Sequence, residues 1–196
     1  AGIRLWDTQT GKEKQELRGH TLTVTQLAFS PNDTYLLSVS RDRAFCLFKS
    51  GESGYERVQL ESEAHGRIIW ACAWSHDGRY FATASRDKTV KFWSVENDKA
   101  SCVATLKCSG PATAVAFYPQ HVGEGYIVAV GLEDGDIQLH KASATMQEIE
   151  LWHGVARELG HVDAVKRLRW GKDKTANKLL SCSVDCSIRL FSVEFV

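Results

Sequence analysis

The sequence predicts an all-β protein assembled from about four copies of one small unit. Three observations carry this: a repeat with a period in the forties, short runs rich in β-branched and aromatic residues, and turn-forming clusters that bound those runs. Four segments line up: Leu36-Leu37-Ser38-Val39-Ser40-Arg41-Asp42, Phe81-Ala82-Thr83-Ala84-Ser85-Arg86-Asp87, Val128-Ala129-Val130-Gly131-Leu132-Glu133-Asp134 and Leu179-Leu180-Ser181-Cys182-Ser183-Val184-Asp185. Their aspartates stand 45, 47 and 51 residues apart, and six positions after each stands a ring: Phe48, Trp93, His140 and Phe191. Trp6 fits the same slot for an aspartate just before Ala1.

Each unit reads as four strands, a to d. Val24-Thr25-Gln26-Leu27-Ala28-Phe29 and Thr113-Ala114-Val115-Ala116-Phe117 are strands a, bounded by turn signals such as Ser30-Pro31-Asn32-Asp33. The aspartate marks the tight turn between b and c, and the ring lies on c. No stretch of helical length carries an unbroken apolar stripe at 3.6 spacing. Residues 1–18 then finish one unit, 19–63, 64–107 and 108–159 form three complete ones, and 160–196 form a last unit of strands a to c.

Composition excludes several classes. The 196 residues carry 24 Lys and Arg against 24 Asp and Glu, so wholesale binding to nucleic acid or to an anionic membrane has no support. The longest apolar run, Ile68 to Trp74, is far too short to span a bilayer. The first residues hold neither an initiator Met nor the apolar core of a signal peptide, and the sequence is expected to begin inside a longer protein. The six cysteines lack CxxC spacing, and Cys46, Cys72 and Cys182 sit in apolar runs as small hydrophobes, which points to a reducing compartment without structural disulfides.

No cofactor or metal site is expected. Gly123-x-Gly125 has no helix after it, and Asp134-Gly135-Asp136 lacks the other ligands of a calcium loop. His121, His140 and His153 are scattered. His65, Ser85 and Asp87 are the residue types of a hydrolase triad, but the set recurs as His20/Ser40/Asp42 and His161/Ser183/Asp185. One reaction does not need three nucleophiles, so a structural role is expected and an enzyme is not.

A Gly-His or Ala-His before strand a (Gly19-His20, Ala64-His65, Gly160-His161), an aspartate turn after strand b and this period together resemble the WD-repeat family. The resemblance implies β-propeller blades, here an open arc or an excerpt of a larger ring, since propellers close with about four to eight blades. It further implies a buried chain in which the strand-c indole donates to Ser, Ser bonds His, and His bonds the turn Asp. The expected members are His20, Ser40 and Asp42; His65, Ser85, Asp87 and Trp93; Asp134; and His161, Ser183 and Asp185. Trp93 alone supplies the indole, and the third complete unit has Leu132 for Ser and no His before Thr113.

Longer runs narrow the resemblance. His20 to Asn32, Arg67 to Ser75 with Ser85-Arg86-Asp87-Lys88, and Tyr126 to Glu133 are similar to the WD-repeat scaffold family of the Elongator complex. That likeness implies a non-catalytic subunit of the assembly that modifies the wobble uridine of transfer RNAs, in cytoplasm and nucleus. Its partners would be the catalytic and scaffold subunits, with a weak direct transfer-RNA contact and neither membrane nor small-molecule substrate. A generic WD adaptor for signalling proteins or peptides is the alternative. The expected contact residues are Arg41, Arg86 and Glu133, which precede the turn aspartates, with Arg67 and Trp70 near the start of a strand a. Core packing is the competing role for Trp70, and plain solvent exposure for the arginines. In the last unit Lys166, Arg167, Arg169, Lys172, Lys174, Lys178 and Arg189 outnumber the acids by three, read mainly as a solvated rim.

Overall fold

The computed structural model describes residues 1–120, 122–155 and 159–194; His121, weighed above as a ligand, lies outside them, as do residues 156–158 and 195–196 of the last two expected units. The described residues form a β-propeller of antiparallel sheets, each a meander of consecutive strands. A two-stranded piece, β1 (Gly2–Trp6) and β2 (Glu13–Arg18), comes first. The first blade is β3 (Val24–Phe29), β4 (Tyr35–Ser40), β5 (Phe45–Gly51) and β6 (Gly54–Glu61). The second is β7 (Ile69–Trp74), β8 (Tyr80–Ser85), β9 (Thr89–Glu96) and β10 (Lys99–Lys107). The third is β11 (Ala112–Phe117), β12 (Tyr126–Leu132), β13 (Ile137–Ala142) and β14 (Ile149–Gly154). The fourth has three strands, β15 (Val165–Trp170), β16 (Lys178–Ser183) and β17 (Ile188–Ser192). One 3-10 turn, Asp173–Thr175, is the only helical element among the described residues.

The sequence shows little apolar–polar alternation in the middle blades because their central strands are buried on both faces. β8 and β12 are buried along their whole length. The core is accordingly a series of layers between sheets. Leu37, Val39, Phe45 and Leu47 of the first blade pack on Ile69, Cys72, Phe81 and Trp93 of the second. Ala82, Val90 and Phe92 then meet Val115, Phe117 and Val128, and Ala129, Ile137 and Leu139 meet Val165, Leu168 and Leu179. Phe45 stands edge-on to Phe81 and Trp93 at 5.3 and 4.9 Å, the geometry that opposed ring quadrupoles favour.

Two local devices position everything on one face. The innermost strands β3, β7, β11 and β15 lie side by side around a channel, and each slips register at its second residue, Thr25, Trp70, Thr113 or Lys166. The residue after each turn aspartate is left-handed: Arg43, Lys88, Gly135 and Cys186, with φ of 73°, 67°, 95° and 64°. Only the third blade uses glycine there, and it must, because a Cβ on Gly135 would stand 2.1 Å from the His161 carbonyl oxygen.

The fourth blade differs in one respect. Ile188 and Leu190 are 73% and 65% exposed, whereas their repeat equivalents Phe45 and Leu47 are wholly buried under the second blade. Leu47→Ala should therefore cost about 2–5 kcal/mol, while Leu190→Ala should change stability by less than about 0.5 kcal/mol, as read by urea denaturation. Equal losses would contradict the layered core.

Candidate docking face

Three of the four blades carry the same buried joint. In the second, the Trp93 indole N–H donates to Thr83 Oγ1 at 2.9 Å, and the Thr83 hydroxyl lies 2.7 Å from His65 Nε2. His65 Nδ1 meets Asp87 Oδ2 at 2.9 Å. The Asp87 carboxylate can only accept, so Nδ1 carries a proton and donates to it. Asp87 also accepts the Gly66 and Thr89 N–H groups at 2.9 and 3.0 Å. In the first blade His20 bridges Asp42 at 3.0 Å and Ser38 at 2.8 Å; in the fourth His161 bridges Asp185 at 2.9 Å and Ser181 at 2.7 Å.

The partner of each histidine is thus not the serine expected from the sequence. Ser40, Ser85 and Ser183 sit two residues further along strand b, at its end, where the chain already turns. Their hydroxyls donate to the carbonyls of Leu22, Arg67 and Asp163 and accept the N–H of the turn aspartate. Ser38, Thr83 and Ser181 lie inside the sheet, on the side chain period that faces the imidazole. A hydroxyl flanked on both sides by apolar residues in strand b was the available signal, since such a group, once buried, has to find a partner. The hydroxyls that do reach the imidazoles, Ser38, Thr83 and Ser181, are buried, so the pair they form presents no exposed nucleophile.

Asp134 is a second correction. It occupies its turn and accepts the Asp136 N–H at 3.2 Å, but among the described residues no imidazole reaches it. Cys108 stands in the histidine slot, four residues before the start of the strand-a ladder, and Val130 replaces the hydroxyl. Burial, and secondarily the Asp87 charge, push the Cys108 thiol up to about 11. His140 fills the ring slot of this blade, buried, with Nε2 3.3 Å from Gln138 Oε1.

Desolvation pushes the Asp87 carboxyl up, but hydrogen bonds from His65, Thr89 and Gly66 outweigh it and hold the group well below the ordinary carboxylate range. At Asp185 the Ser187 hydroxyl is the main cause of the same direction, and Asp42 is lowered by its N–H donors against its desolvation. Each group whose folded pKa is depressed stabilises the fold above its unfolded pKa, about 4, and that contribution disappears as pH falls through the folded value.

The joints tie down the face on which most of the expected contact residues lie. Arg41, Arg67 and Arg86 are brought together in one cleft with Arg43, Gly66 and Ile68. A neighbouring cleft joins Arg67, Arg86 and Lys88 to Glu133 and Pro111. All five cations are exposed and none forms an ion pair among the described residues. Trp70 lies apart from both clefts, half-buried at the bulge of β7 with the Lys166 ammonium 5.7 Å from its ring. Of the basic residues of the last repeat, Arg167 and Arg169 line the channel, while Arg189 and Lys178 bond Leu159 O and Ser192. Sequence reasoning missed Arg43 and Lys88, whose left-handed position after the turn aspartate carries them to the same face.

A propeller of small sheets, locked by aspartate–histidine joints and presenting turn residues on one face, defines a protein-interaction module rather than any one chemistry. Residues 11–49, 57–94 and 155–192 match the family described as WD domain, G-beta repeat, and the chain belongs to that family. The third blade, which lacks the joint, falls outside the match. Among individual proteins the chain is similar to Elongator complex protein 2: 38% identical to that of Dictyostelium discoideum over 219 residues, 41% to that of Arabidopsis thaliana over 215, and 35% to that of Saccharomyces cerevisiae over 205. Each alignment covers 100% of this chain and 24%, 26% and 26% of the relative, so the chain spans about a quarter of the length of these relatives.

Asp87→Ala should cost about 1–3 kcal/mol in thermal or chemical denaturation, because it leaves His65 Nδ1–H and the Gly66 and Thr89 N–H groups without acceptors. Stability of the unaltered chain should fall steadily below about pH 4, and Asp87→Ala should flatten that acid limb in a pH series of melting curves.

Proposed function

We propose that the chain is part of a non-catalytic scaffold subunit of an Elongator assembly, supporting modification of the wobble uridine in transfer RNA by positioning other subunits. The observation that carries this reading is the cluster of five unpaired cations, Arg41, Arg43, Arg67, Arg86 and Lys88, on two adjacent blades. Likeness to Elongator complex protein 2 across the chain supports the choice of assembly. Exposed cations held on rigid turns are suited to an acidic segment of a partner, with Glu133 setting an acidic border that orients it. The protein works in cytoplasm and nucleus, where six unpaired cysteines are stable.

The test is a full-length bait carrying Arg67→Glu with Arg86→Glu. The other Elongator subunits should be lost from its purified complex, while melting shifts by less than about 0.5 kcal/mol because both side chains are exposed. Undiminished recovery of those subunits would overturn the docking reading, and a complex dominated by unrelated signalling proteins would favour the generic adaptor.

A further inference from the structure

We infer that Asp87 is a positioning residue for the cations of the docking face, an inference that rests on the docking reading above. Its carboxylate joins the three short segments that carry Arg67, Arg86 and Lys88. Oδ2 accepts the N–H of Gly66, the residue before Arg67, at 2.9 Å. The Asp87 N–H donates to Ser85 Oγ at 3.1 Å, and that same hydroxyl donates to the Arg67 carbonyl at 3.3 Å. Arg86 N–H donates to Ile68 O at 2.9 Å, on the other side of Arg67. Oδ1 accepts the Thr89 N–H at 3.0 Å and so closes the turn around Lys88 in its left-handed conformation. His65, wholly buried, braces the carboxylate from below.

The fourth blade supplies an internal contrast. Asp185 makes the same joint, accepting from Val162 N–H at 3.1 Å and Ser187 N–H at 2.9 Å and meeting His161 at 2.9 Å. Yet its neighbours are Val184 and Cys186, and Val162 stands where the second blade has Gly66. One joint therefore holds a cationic surface in register, and the other holds one with no cation, where Asp163 stands in place of Arg67. A purely structural role would make the two interchangeable in their effect on docking.

The experiment uses full-length baits and quantifies recovery of the other Elongator subunits at a fixed salt concentration, with melting curves recorded for every variant. Asp87→Asn keeps one acceptor oxygen but turns an amide toward the N–H donors, and it should reduce recovery about tenfold, whereas Asp185→Asn should leave it within about twofold despite a similar melting shift. In a bait already carrying Arg67→Ala, Arg86→Ala and Lys88→Ala, Asp87→Asn should produce no further loss. Equal losses from Asp87→Asn and Asp185→Asn, or a further loss in the triple-alanine bait, would overturn the positioning role. Full recovery by the triple-alanine bait alone would overturn the docking reading and the inference with it, a pattern distinct from the other two.

Discussion

The bond between a turn aspartate and a buried imidazole is the constraint on which this molecule depends. A propeller blade is a small sheet with two apolar faces and no hydrophobic core of its own, so its stability comes from lying against its neighbours. That packing is non-directional and would tolerate sliding of one sheet over the next. The joint removes the freedom: His20, His65 and His161, each almost completely buried, connect the loop before strand a to the turn between b and c. A buried carboxylate with four donors cannot shift without leaving several of them unsatisfied, which makes the position steep in energy even where the net stabilisation is modest.

Such a joint also explains the tolerance of the third blade. Cys108 and Val130 replace the imidazole and its hydroxyl together, so neither is left buried without the other. Exchanging a whole network for apolar side chains is nearly neutral, whereas losing one member is costly. Close packing takes over the locking role there: Gly135 lies against the His161 carbonyl, and Gly131 lies against Val165. The third blade is thus registered partly by the joint of the fourth.

Much of this was legible in the residues. The period, the aspartate turns and the ring six positions on each place a strand boundary, and sheets of four strands follow from turn chemistry alone. The nearness of Arg41 and Arg86 was legible too, because both precede a turn aspartate and so take equivalent places in successive blades. The hydroxyl partner of histidine was not. Ser40 and Ser38 differ by two residues on one strand, so they share a face, and only the depth at which the imidazole enters decides between them. Depth is a tertiary quantity. Asp134 misled for a related reason: the turn keeps its aspartate for the Asp136 N–H even where the imidazole is gone. Arg43 and Lys88 were hidden because left-handed backbone is rarely assigned to a long cationic side chain.

The placement of charge follows from the same geometry. Unpaired cations on neighbouring turns repel one another, and nothing in the packing of the blades requires them there: Glu133 and Val184 fill the corresponding site elsewhere. The left-handed conformation of Arg43 and Lys88 adds a local cost that glycine would avoid, as Gly135 does in the third blade. A cluster that is unfavourable twice over in the isolated chain becomes favourable only when an opposing charge is brought to it, and rigid joints beneath it ensure that the attraction is not spent on ordering the turns. The basic cleft and the buried aspartates are therefore one device, the second holding ready what the first presents.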